Sequence, residues 1–291
     1  MNLFFRLEQR TRGNPLRMNL GRTLRRVAPK FDLLRNMNRA LGRSTKLQVM
    51  GKTFFADLDL GAAGGLFEDG KWEPAETAFV QNFLQAGMIV VDLGANIGYY
   101  TVLAAEKVGS SGKVFAFEPD RRNFALLRKN IKRNRCQNVI PLRKAVTSKN
   151  GSLRLYLSKS NLGGHRVFEP HGEDIWPSRI IESISLDEFF PNGSRVDFLK
   201  MDIEGAEYSA FCGMRRVLEQ NPHVVILCEF SPYLLRQSGI APLSFLQEVR
   251  GLGFSIFIFA EQIPVQMTDE GILDIPGNFR NLLFSRNALA I

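Results

Sequence analysis

Cysteine and histidine are scarce in this chain, and long apolar runs are missing. The 291 residues include three cysteines, Cys136, Cys212 and Cys228, which lie far apart and lack the paired spacing of a zinc site or a redox pair. They predict buried free thiols in a reducing compartment. No apolar run approaches the roughly 18 residues that span a bilayer, and the N-terminus lacks the apolar region of a secretory signal. We therefore expect a cytoplasmic protein.

Most of the chain also lacks an excess of either charge. The hydrophobic fraction of 45% and the charged fraction of 23% are typical of a soluble globular protein. The net charge of +9 comes from residues 1–46, which hold 12 of the 38 Lys and Arg residues but only two of the 29 acidic residues. The remainder is close to neutral, so overall basicity is no evidence that it binds nucleic acid.

The basic N-terminal extension, residues 1–46, carries Arg at short intervals with Leu, Phe and Met between them. This pattern favours broken amphipathic helices, interrupted at Pro15 and Pro29. Three roles stay open: an arm that contacts a membrane surface or nucleic acid, a solvated cap on the main domain, or an organelle-targeting peptide. We assign residues 47–291 to the main domain. Its oligomeric state is not fixed by the sequence.

From residue 88 onward, short apolar runs alternate with stretches of helical periodicity, which predicts βαβ units and a mostly parallel sheet. The predicted strands are Met88–Asp92, Val114–Glu118, Val139–Leu142, Val196–Met201, Val224–Glu229, Ser255–Phe259 and Leu282–Ser285. Helical patterns lie between them, at Ile97–Val108, Phe124–Ile131, Phe211–Leu218 and Leu243–Val249. The fold class that follows is a doubly wound α/β domain.

The alternation stops between about residues 145 and 195, where Ser152–Leu157 has a strand-like pattern and is followed by Gly163 and Gly164. We predict a hairpin or excursion there. It precedes the next parallel strand, whose carboxyl end is where ligands bind in open α/β sheets. A substrate lid and an idle surface insertion both fit this position.

A glycine-spaced turn follows the first predicted strand. Gly94 and Gly98 remove side chains where the backbone must approach a ligand, and the next helix begins with free N–H groups. Asp92 at the strand end is placed to hold this loop or to meet the amino group of an amino-acid-like ligand. Asn96 stands where a dinucleotide-binding turn has its middle glycine, which argues against a bound pyrophosphate.

Glu118 ends the second predicted strand, 24 residues after Gly94. An acid there accepts hydrogen bonds from the hydroxyls of an unphosphorylated ribose. Ribose plus an amino acid, with no diphosphate between them, describes S-adenosylmethionine, so we predict this cofactor. For Asn96 and Thr101, capping or packing stays open as the alternative role. The predicted binding residues are Asp92, Gly94, Asn96, Gly98, Tyr99, Thr101, Glu118 and Ala145.

These segments resemble the FkbM-type methyltransferases of class I fold. The resemblance runs from about Asp92 to Phe259 and rests on Val91–Tyr99, Phe117–Pro119, Ser185–Asp187 and Val196–Glu207, of which the last is the most family-specific. It implies a seven-stranded sheet with a final reversed strand, a place that the last predicted strand could take. It also implies a methyltransferase that acts mostly on oxygen in sugars, natural products and other small molecules, and hence a small-molecule or glycan acceptor.

Acidic residues follow the fourth predicted strand at its carboxyl end, where an acceptor would meet the methyl group. A hydroxyl acceptor gains from a general base. Asp202 and Glu204 are the candidates, with His165 after the glycine pair as a third. Together with Glu207, the two acids offer oxygen ligands to a divalent cation. Acids in the first turn of a helix explain Glu204 and Glu207 as well, and we predict no metal site.

Two further classes of function stay open. A nucleic-acid methyltransferase would use the basic extension to grip phosphate, and Ser231-Pro232-Tyr233 invites comparison with the motif that stacks a flipped base. That motif belongs after the fourth strand, whereas here it follows the fifth, so we do not expect a nucleic-acid substrate. The other class is a non-catalytic module that keeps the fold and binds the cofactor.

Overall fold

The computed structural model describes residues 44–56, 72–158, 163–172 and 175–289. Nearly all of the basic extension lies outside these residues, so its predicted helices and roles stay predictions. Within the described residues, no helix combines the length and the apolar character needed to cross a membrane.

Eight strands form one large sheet in the described part of the chain. Their spatial order is β5-β4-β3-β9-β10-β13-β11-β12, and β1–β2 and β6-β8-β7 form two smaller sheets. The strands are β1 (Thr45–Val49), β2 (Lys52–Ala56), β3 (Ile89–Leu93), β4 (Lys113–Phe117), β5 (Val139–Leu142), β6 (Ala145–Val146), β7 (Gly151–Tyr156), β8 (Ser178–Ile184), β9 (Phe198–Met201), β10 (Val225–Phe230), β11 (Ser255–Ala260), β12 (Ile263–Gln266) and β13 (Arg280–Ser285).

The large sheet has the predicted mostly parallel arrangement. β5, β4, β3, β9 and β10 pair in parallel. β13 is antiparallel to both of its neighbours, β10 and β11, and is the reversed strand that the family resemblance implies. An eighth strand, β12, extends the seven expected strands by one. It forms because the chain folds back in a two-residue turn after Ala260, where Glu261 has a φ of 59°.

Nine helices lie in the described residues. Those predicted from Ile97, Phe124 and Leu243 onward are confirmed as α2, α3 and α8. The helices are α1 (Pro74–Phe83), α2 (Tyr99–Val108), α3 (Arg121–Arg133), α4 (Leu186–Phe189), α5 (Glu207–Cys212), α6 (Arg215–Gln220), α7 (Pro232–Gln237), α8 (Pro242–Gly251) and α9 (Asp269–Asp274).

The single helix predicted over Phe211–Leu218 was wrong, because two short helices, α5 and α6, occupy this stretch. The break lies at Gly213, where a β-carbon would be 2.2 Å from the carbonyl oxygen of Thr147. The Asp187 carboxylate accepts hydrogen bonds from the backbone N–H groups of Arg216 and Val217, so α6 has its own N-terminal cap. A distant backbone segment and a distant carboxylate therefore divide the helix.

The predicted excursion between β5 and β9 is a separate small sheet. β7 and β8 pair antiparallel over six residue pairs, and β6 joins β8 in parallel. Residues 163–172 belong to the long connection between β7 and β8, and Arg166 forms an isolated bridge with Tyr156. We call residues 145–184 the insert.

An unpredicted hairpin, β1–β2, packs on α3 through two asparagines. Asn130 Oδ1 accepts the backbone N–H of Phe55 at 2.7 Å, and Asn134 Oδ1 accepts that of Thr53 at 3.1 Å. Their Nδ2 groups donate back to the carbonyls of the same two hairpin residues. The side-chain amides thus supply hydrogen-bond partners to the backbone groups at the edge of β2, as a neighbouring strand would.

Both faces of the large sheet are buried. Along β3, Val90 packs in one core cluster with Phe54 and Val102, whereas Val91 packs in the other with Phe211. Helices and the hairpin cover the first face, and the helices after β9 and β10 cover the second. A strand buried on both faces carries polar side chains mainly where it ends, and that end positions the site.

Candidate active site

The loop between β3 and α2 contains three residues with a left-handed backbone. Gly94, Asn96 and Gly98 have φ values of 77°, 51° and 90°. A β-carbon at Gly94 would lie 1.8 Å from the carbonyl oxygen of Asp202, and one at Gly98 would lie 2.6 Å from Cδ1 of Leu127. The contact with the Asp202 carbonyl requires glycine at position 94, and the left-handed backbone favours glycine at position 98. The close approach of a ligand to both stays a prediction.

Asp92 ends β3 beside this loop with only 2% of its surface exposed. The Thr101 hydroxyl donates a hydrogen bond to its Oδ2 at 2.5 Å, while Oδ1 is buried with no hydrogen-bond partner among the described residues. Burial raises the pKa of Asp92, and the charge of Lys200 opposes this rise. Thr101 is itself fully buried, so these contacts support its alternative packing role rather than the predicted cofactor contact.

Glu118 ties the loop after β3 to the loop after β4. Its Oε2 accepts the backbone N–H of Asn96 and its Oε1 that of Asp120, both at 2.8 Å. Burial raises the pKa of Glu118 to about 8, against the effect of these two hydrogen bonds. Each oxygen keeps a second lone pair, so both can also accept from a ligand. The Asn96 Oδ1 nearby is buried and unpartnered within the described residues.

The other two predicted cofactor residues lie in packed surroundings. The Tyr99 hydroxyl is 3.1 Å from Thr77 Oγ1 and accepts the backbone N–H of Trp72, and its ring centroid lies 5.9 Å from that of Phe54. These contacts give Tyr99 a packing role beneath the hairpin, and its cofactor contact stays a prediction. Ala145 is buried in β6, and its cofactor contact stays a prediction.

The loop after β9 lies beside the cofactor loop because β3 and β9 are parallel neighbours. The Asp202 backbone N–H donates to the Leu93 carbonyl at 3.0 Å. Lys200, in register with Asp92, donates to Asp202 Oδ2 at 2.7 Å and is 4% exposed. Burial opposes the charge of Lys200, but the carboxylates of Asp202, Glu73 and Asp92 outweigh it and raise the pKa of the ammonium well above its usual range.

A cluster of three carboxylates stands at this edge of the sheet. One oxygen from each of Asp202, Glu204 and Glu229 lies within 4.8 Å of the others. Burial raises the pKa of Glu204 to about 8, and the charges of Asp202 and Glu207 add to the rise. Burial also raises the pKa of Glu229 well above its usual range. This acidic cluster therefore holds protons at neutral pH, and its oxygens have the geometry of a candidate cation site.

Glu207 does not belong to the acidic cluster, although it was grouped with Asp202 and Glu204 from their spacing. Its Oε1 accepts the backbone N–H groups of Ile203 and Gly205, each at 3.2 Å. It is the first residue of α5, as expected of an acid at a helix N-terminus. Burial raises the pKa of Glu207 to about 7. The Glu207 side chain therefore stabilises the loop between β9 and α5.

Sequence reasoning missed three charged residues of the site: Glu73, Lys200 and Glu229. The Glu73 carboxylate accepts hydrogen bonds from the hydroxyl of Tyr100 at 2.7 Å and from Nδ2 of Asn281 at 2.9 Å. Glu229 lies near the end of a predicted strand, as Glu118 does, and that signal could have found it. Glu73 precedes α1 in a stretch without strand periodicity, so no signal marks it.

The insert covers the loop after β9. A β-carbon at Gly205 would lie 2.7 Å from Cε1 of Phe168. The Arg166 guanidinium lies 5.2 Å from the ring centroid of Trp176, and its charge acts to lower the pKa of Glu204. The insert therefore lies against the acidic cluster, which is the position that a substrate lid requires.

His165, the third candidate base, lies in the insert. Its Nδ1 accepts the backbone N–H of Ser158 at 3.0 Å. Burial lowers the pKa of His165, the charge of Asp120 acts to raise it, and that of Arg179 acts to lower it. Asp120, the carboxylate that acts to raise the pKa of His165, follows β4 and lies outside the acidic cluster. The proposed role of His165 as a base stays a prediction.

Sequence comparisons with known proteins find a matching family model and a curated relative. The family model described as the methyltransferase FkbM domain matches residues 92–256. A curated protein named methyltransferase sdnD, from Sordaria araneosa, is 26% identical over 162 residues, which are 45% of this chain and 62% of that protein. The chain thus spans less than two thirds of that relative's length.

Two solved structures are similar to the chain at low sequence identity. A methyltransferase FkbM from Methylobacillus flagellatus is 16% identical with a TM-score of 0.44, and the match covers 91% of this chain and 60% of that one. A TYW2 protein from M. jannaschii, solved in complex with AdoMet, is 15% identical with a TM-score of 0.43 and coverages of 83% and 84%.

Proposed function

Because the chain belongs to the FkbM methyltransferase family, we propose that it transfers a methyl group from S-adenosylmethionine to an oxygen atom of a small molecule, sugar or glycan. One observation carries the proposal. The loop that fits the cofactor and the loop that bears the acidic cluster touch through Gly94 and the Asp202 carbonyl. A cofactor on the first loop and an acceptor on the second would therefore be neighbours, and proximity supplies much of the acceleration in a direct transfer.

The residues of the first loop fit the cofactor. Two buried acceptors, Asp92 Oδ1 and Asn96 Oδ1, have no donor in the described part of the protein, and a buried acceptor without a donor is costly. Ammonium and ribose hydroxyl groups are donors of the kind that these two oxygens lack, and the second lone pairs of the Glu118 oxygens can accept from them as well. S-adenosylmethionine supplies an electrophilic methyl group on a positively charged sulfur.

The second loop supplies the acid–base chemistry. Glu204, with a pKa of about 8, is matched to accept a proton from an acceptor hydroxyl near neutral pH. Asp202 already accepts a hydrogen bond from Lys200, which fixes its carboxylate in place. We therefore assign the general base to Glu204 and a positioning role to Asp202. Burial and the negative charges of Asp202 and Glu207 raise the pKa of Glu204, and the ionised form of Glu204, whose share grows as the pH approaches 8, accepts the hydroxyl proton as the new oxygen–methyl bond forms and the sulfur–methyl bond breaks.

Calorimetric titration with S-adenosylmethionine and with S-adenosylhomocysteine tests the cofactor assignment. We expect the wild type to bind both. At a pH above about 8, where the Glu118 carboxylate is ionised, Glu118→Ala should lose roughly 1.5 to 3 kcal/mol for both, as for hydrogen bonds to a charged group. Glu270→Gln, an exposed acid in α9, is the matched control and should bind like the wild type. A folded wild type that binds neither ligand would contradict the proposal.

A methyl-transfer assay tests the assignment of Glu204 as the general base. Purified protein is supplied with S-adenosylmethionine and a panel of sugars, phenols and glycans, and S-adenosylhomocysteine formation is measured. With an acceptor in hand, Glu204→Gln should lower kcat by roughly a hundredfold to ten-thousandfold and leave cofactor affinity unchanged. Undiminished turnover by this variant would remove Glu204 from the mechanism without affecting the cofactor assignment.

A further inference from the structure

A strongly basic surface lies along α3 and β5. Between residues 121 and 150 the chain has ten Lys and Arg residues and no Asp or Glu. The rest of the main domain therefore holds 16 basic and 27 acidic residues. The near-neutral charge of the domain conceals a separation of charge, with its positive part concentrated in this one segment.

The side chains on this surface are available to a partner. Arg128, Lys132, Arg133 and Arg135 are exposed, and within the described residues none of them forms an ion pair with a carboxylate. The opposite side of α3 is fixed in the protein, since Leu127 and Asn130 are fully buried. The helix thus presents a row of uncompensated cations on a rigid base.

A cavity opens within this surface, between the end of α3 and β5. Its volume is about 340 Å³, and it does not adjoin the candidate active site. Three cations and an apolar floor line it: Arg128, Lys132 and Arg135 with Ile131, Cys136 and Pro141. Next to Pro141, the apolar side chain of Ile140 is 37% exposed. Cations beside exposed apolar groups suit a partner that is both anionic and amphipathic.

The basic N-terminal extension joins the molecule on the same side. Lys129 on α3 donates a hydrogen bond to Oγ of Ser44, the first described residue, at 2.9 Å. The same ammonium lies 3.6 Å from the ring centroid of Phe55. Residues 1–43, which precede this contact in the sequence, carry eleven Lys and Arg residues with Leu, Phe and Met between them.

We propose that α3 and β5 form a docking surface for a membrane rich in anionic lipids, with the cavity receiving a lipid phosphate. Basic residues near such a surface each contribute attraction, and interspersed apolar residues bury in its interface. A nucleic acid fits this surface less well. Phe124 is the single aromatic residue between residues 121 and 150, and it packs against a core cluster, so this segment offers no ring on which a base could stack.

Flotation of the full chain with lipid vesicles tests the proposal. We expect the protein to float with phosphatidylcholine vesicles that contain phosphatidylserine, to ignore vesicles of phosphatidylcholine alone, and to be released by salt. The triple variant Arg128→Glu, Lys132→Glu and Arg135→Glu should weaken binding at least roughly a hundredfold, since each basic residue contributes about a factor of five or more. Circular dichroism and cofactor titration establish that the variant is folded.

A matched control separates this surface from net charge. Arg154→Glu, Arg179→Glu and Arg236→Glu change the charge equally at exposed positions outside α3 and β5, and this triple variant should bind vesicles like the wild type. Equal losses in both triple variants would overturn the docking surface. So would binding that persists in high salt, or a wild type that ignores anionic vesicles and binds an RNA duplex instead.

Discussion

Gly94 lies where the two loops of the site touch, and the chain offers a control that isolates this contact. Gly94 and Gly193 share a φ of 77°, but only Gly94 has an atom within 4 Å of the position of a β-carbon. We expect Gly193→Ala to lose about 1 to 2 kcal/mol of unfolding free energy through the left-handed backbone alone. Gly94→Ala should lose at least about 2 kcal/mol more, because the Asp202 carbonyl must move. Urea titration measures the free energy of unfolding of both variants. Equal losses would show that the two loops can move apart at little cost in free energy.

If Glu118 binds the cofactor as proposed, it should make cofactor binding sensitive to pH. Its pKa of about 8 means that it is largely protonated at neutral pH, and a protonated carboxyl is the weaker acceptor for ribose hydroxyls. Affinity should therefore rise with pH through about 8, as the carboxylate forms. Because the ligand itself titrates, the informative quantity is the ratio of the dissociation constants of Glu118→Gln and the wild type. A ratio that stays flat with pH would mean that Glu118 does not contact the ligand.

At this scale the sequence predicted part of the site. Asp92, Glu118, Asp202 and Glu204 were found because each follows an apolar strand, and strand ends converge at one edge of a parallel sheet. Lys200 could not be assigned in the same way, since its role depends on carboxylates that converge from other parts of the chain. Residues whose function comes from neighbours on other strands carry no local signal.

Among the elements, the hairpin β1–β2 depends on the amide of Asn130. This side chain accepts from the Phe55 N–H and donates to the carbonyls of Phe55 and Ile97. Asn130→Ala leaves these groups unsatisfied and should cost on the order of 3 kcal/mol, with faster hydrogen exchange at the Phe55 amide. Asn138→Ala, which loses bonds to the end of α2 alone, should leave that amide protected. Unchanged protection in Asn130→Ala would mean that another contact holds the hairpin.

Long elements were predictable and short ones were not. Strands of the large sheet were found from their apolar runs, since both sheet faces are buried. The hairpin was missed because the amides that satisfy its edge look, in the sequence, like polar residues on the solvated side of α3. The break between α5 and α6 was missed because its cause, the backbone at Thr147, lies 66 residues away from Gly213. Tertiary contacts decided these elements, and periodicity does not report them.

For the whole molecule, the buried acids set the direction of the pH dependence of stability. Glu118, Glu204 and Glu207 have pKa values of about 8, 8 and 7 in the folded chain, above the usual value of about 4.3 for an unfolded chain. Over this range the folded state binds more protons than the unfolded state, so the free energy of unfolding should fall as pH rises from about 4.3 towards 8.

Urea titrations across this pH range measure the effect. Glu207→Gln should flatten part of the dependence, because the amide cannot ionise. The exposed control Glu270→Gln should leave the profile unchanged. A free energy of unfolding that rises with pH between these limits would contradict the raised pKa values.

The charge averaged over the whole main domain conceals one local feature. The near-neutral composition after residue 46 means that overall basicity is no evidence for an anionic partner, but residues 121–150 hold ten basic residues and no acidic residue. In three dimensions Arg128, Lys132 and Arg135 of this segment line one cavity, so the sum of charges says little about any one face. The distribution along the sequence, read in windows rather than in two blocks, would have shown it.

The close contact between Gly94 and the Asp202 carbonyl limits which parts of the site can change when the acceptor specificity of such a protein changes. In a library that varies the path of the backbone after β9, the loop after β3 would be displaced in every variant. All of these variants would then lose cofactor binding, whichever acceptor they were designed to methylate. Side chains outside this contact, such as Glu229, Phe168 and Trp176, can change without moving it. New acceptor preferences should therefore emerge from exchanges at those three positions and from loop-length changes in the insert, while the Gly94 contact and the proposed base Glu204 stay the same in every functional descendant.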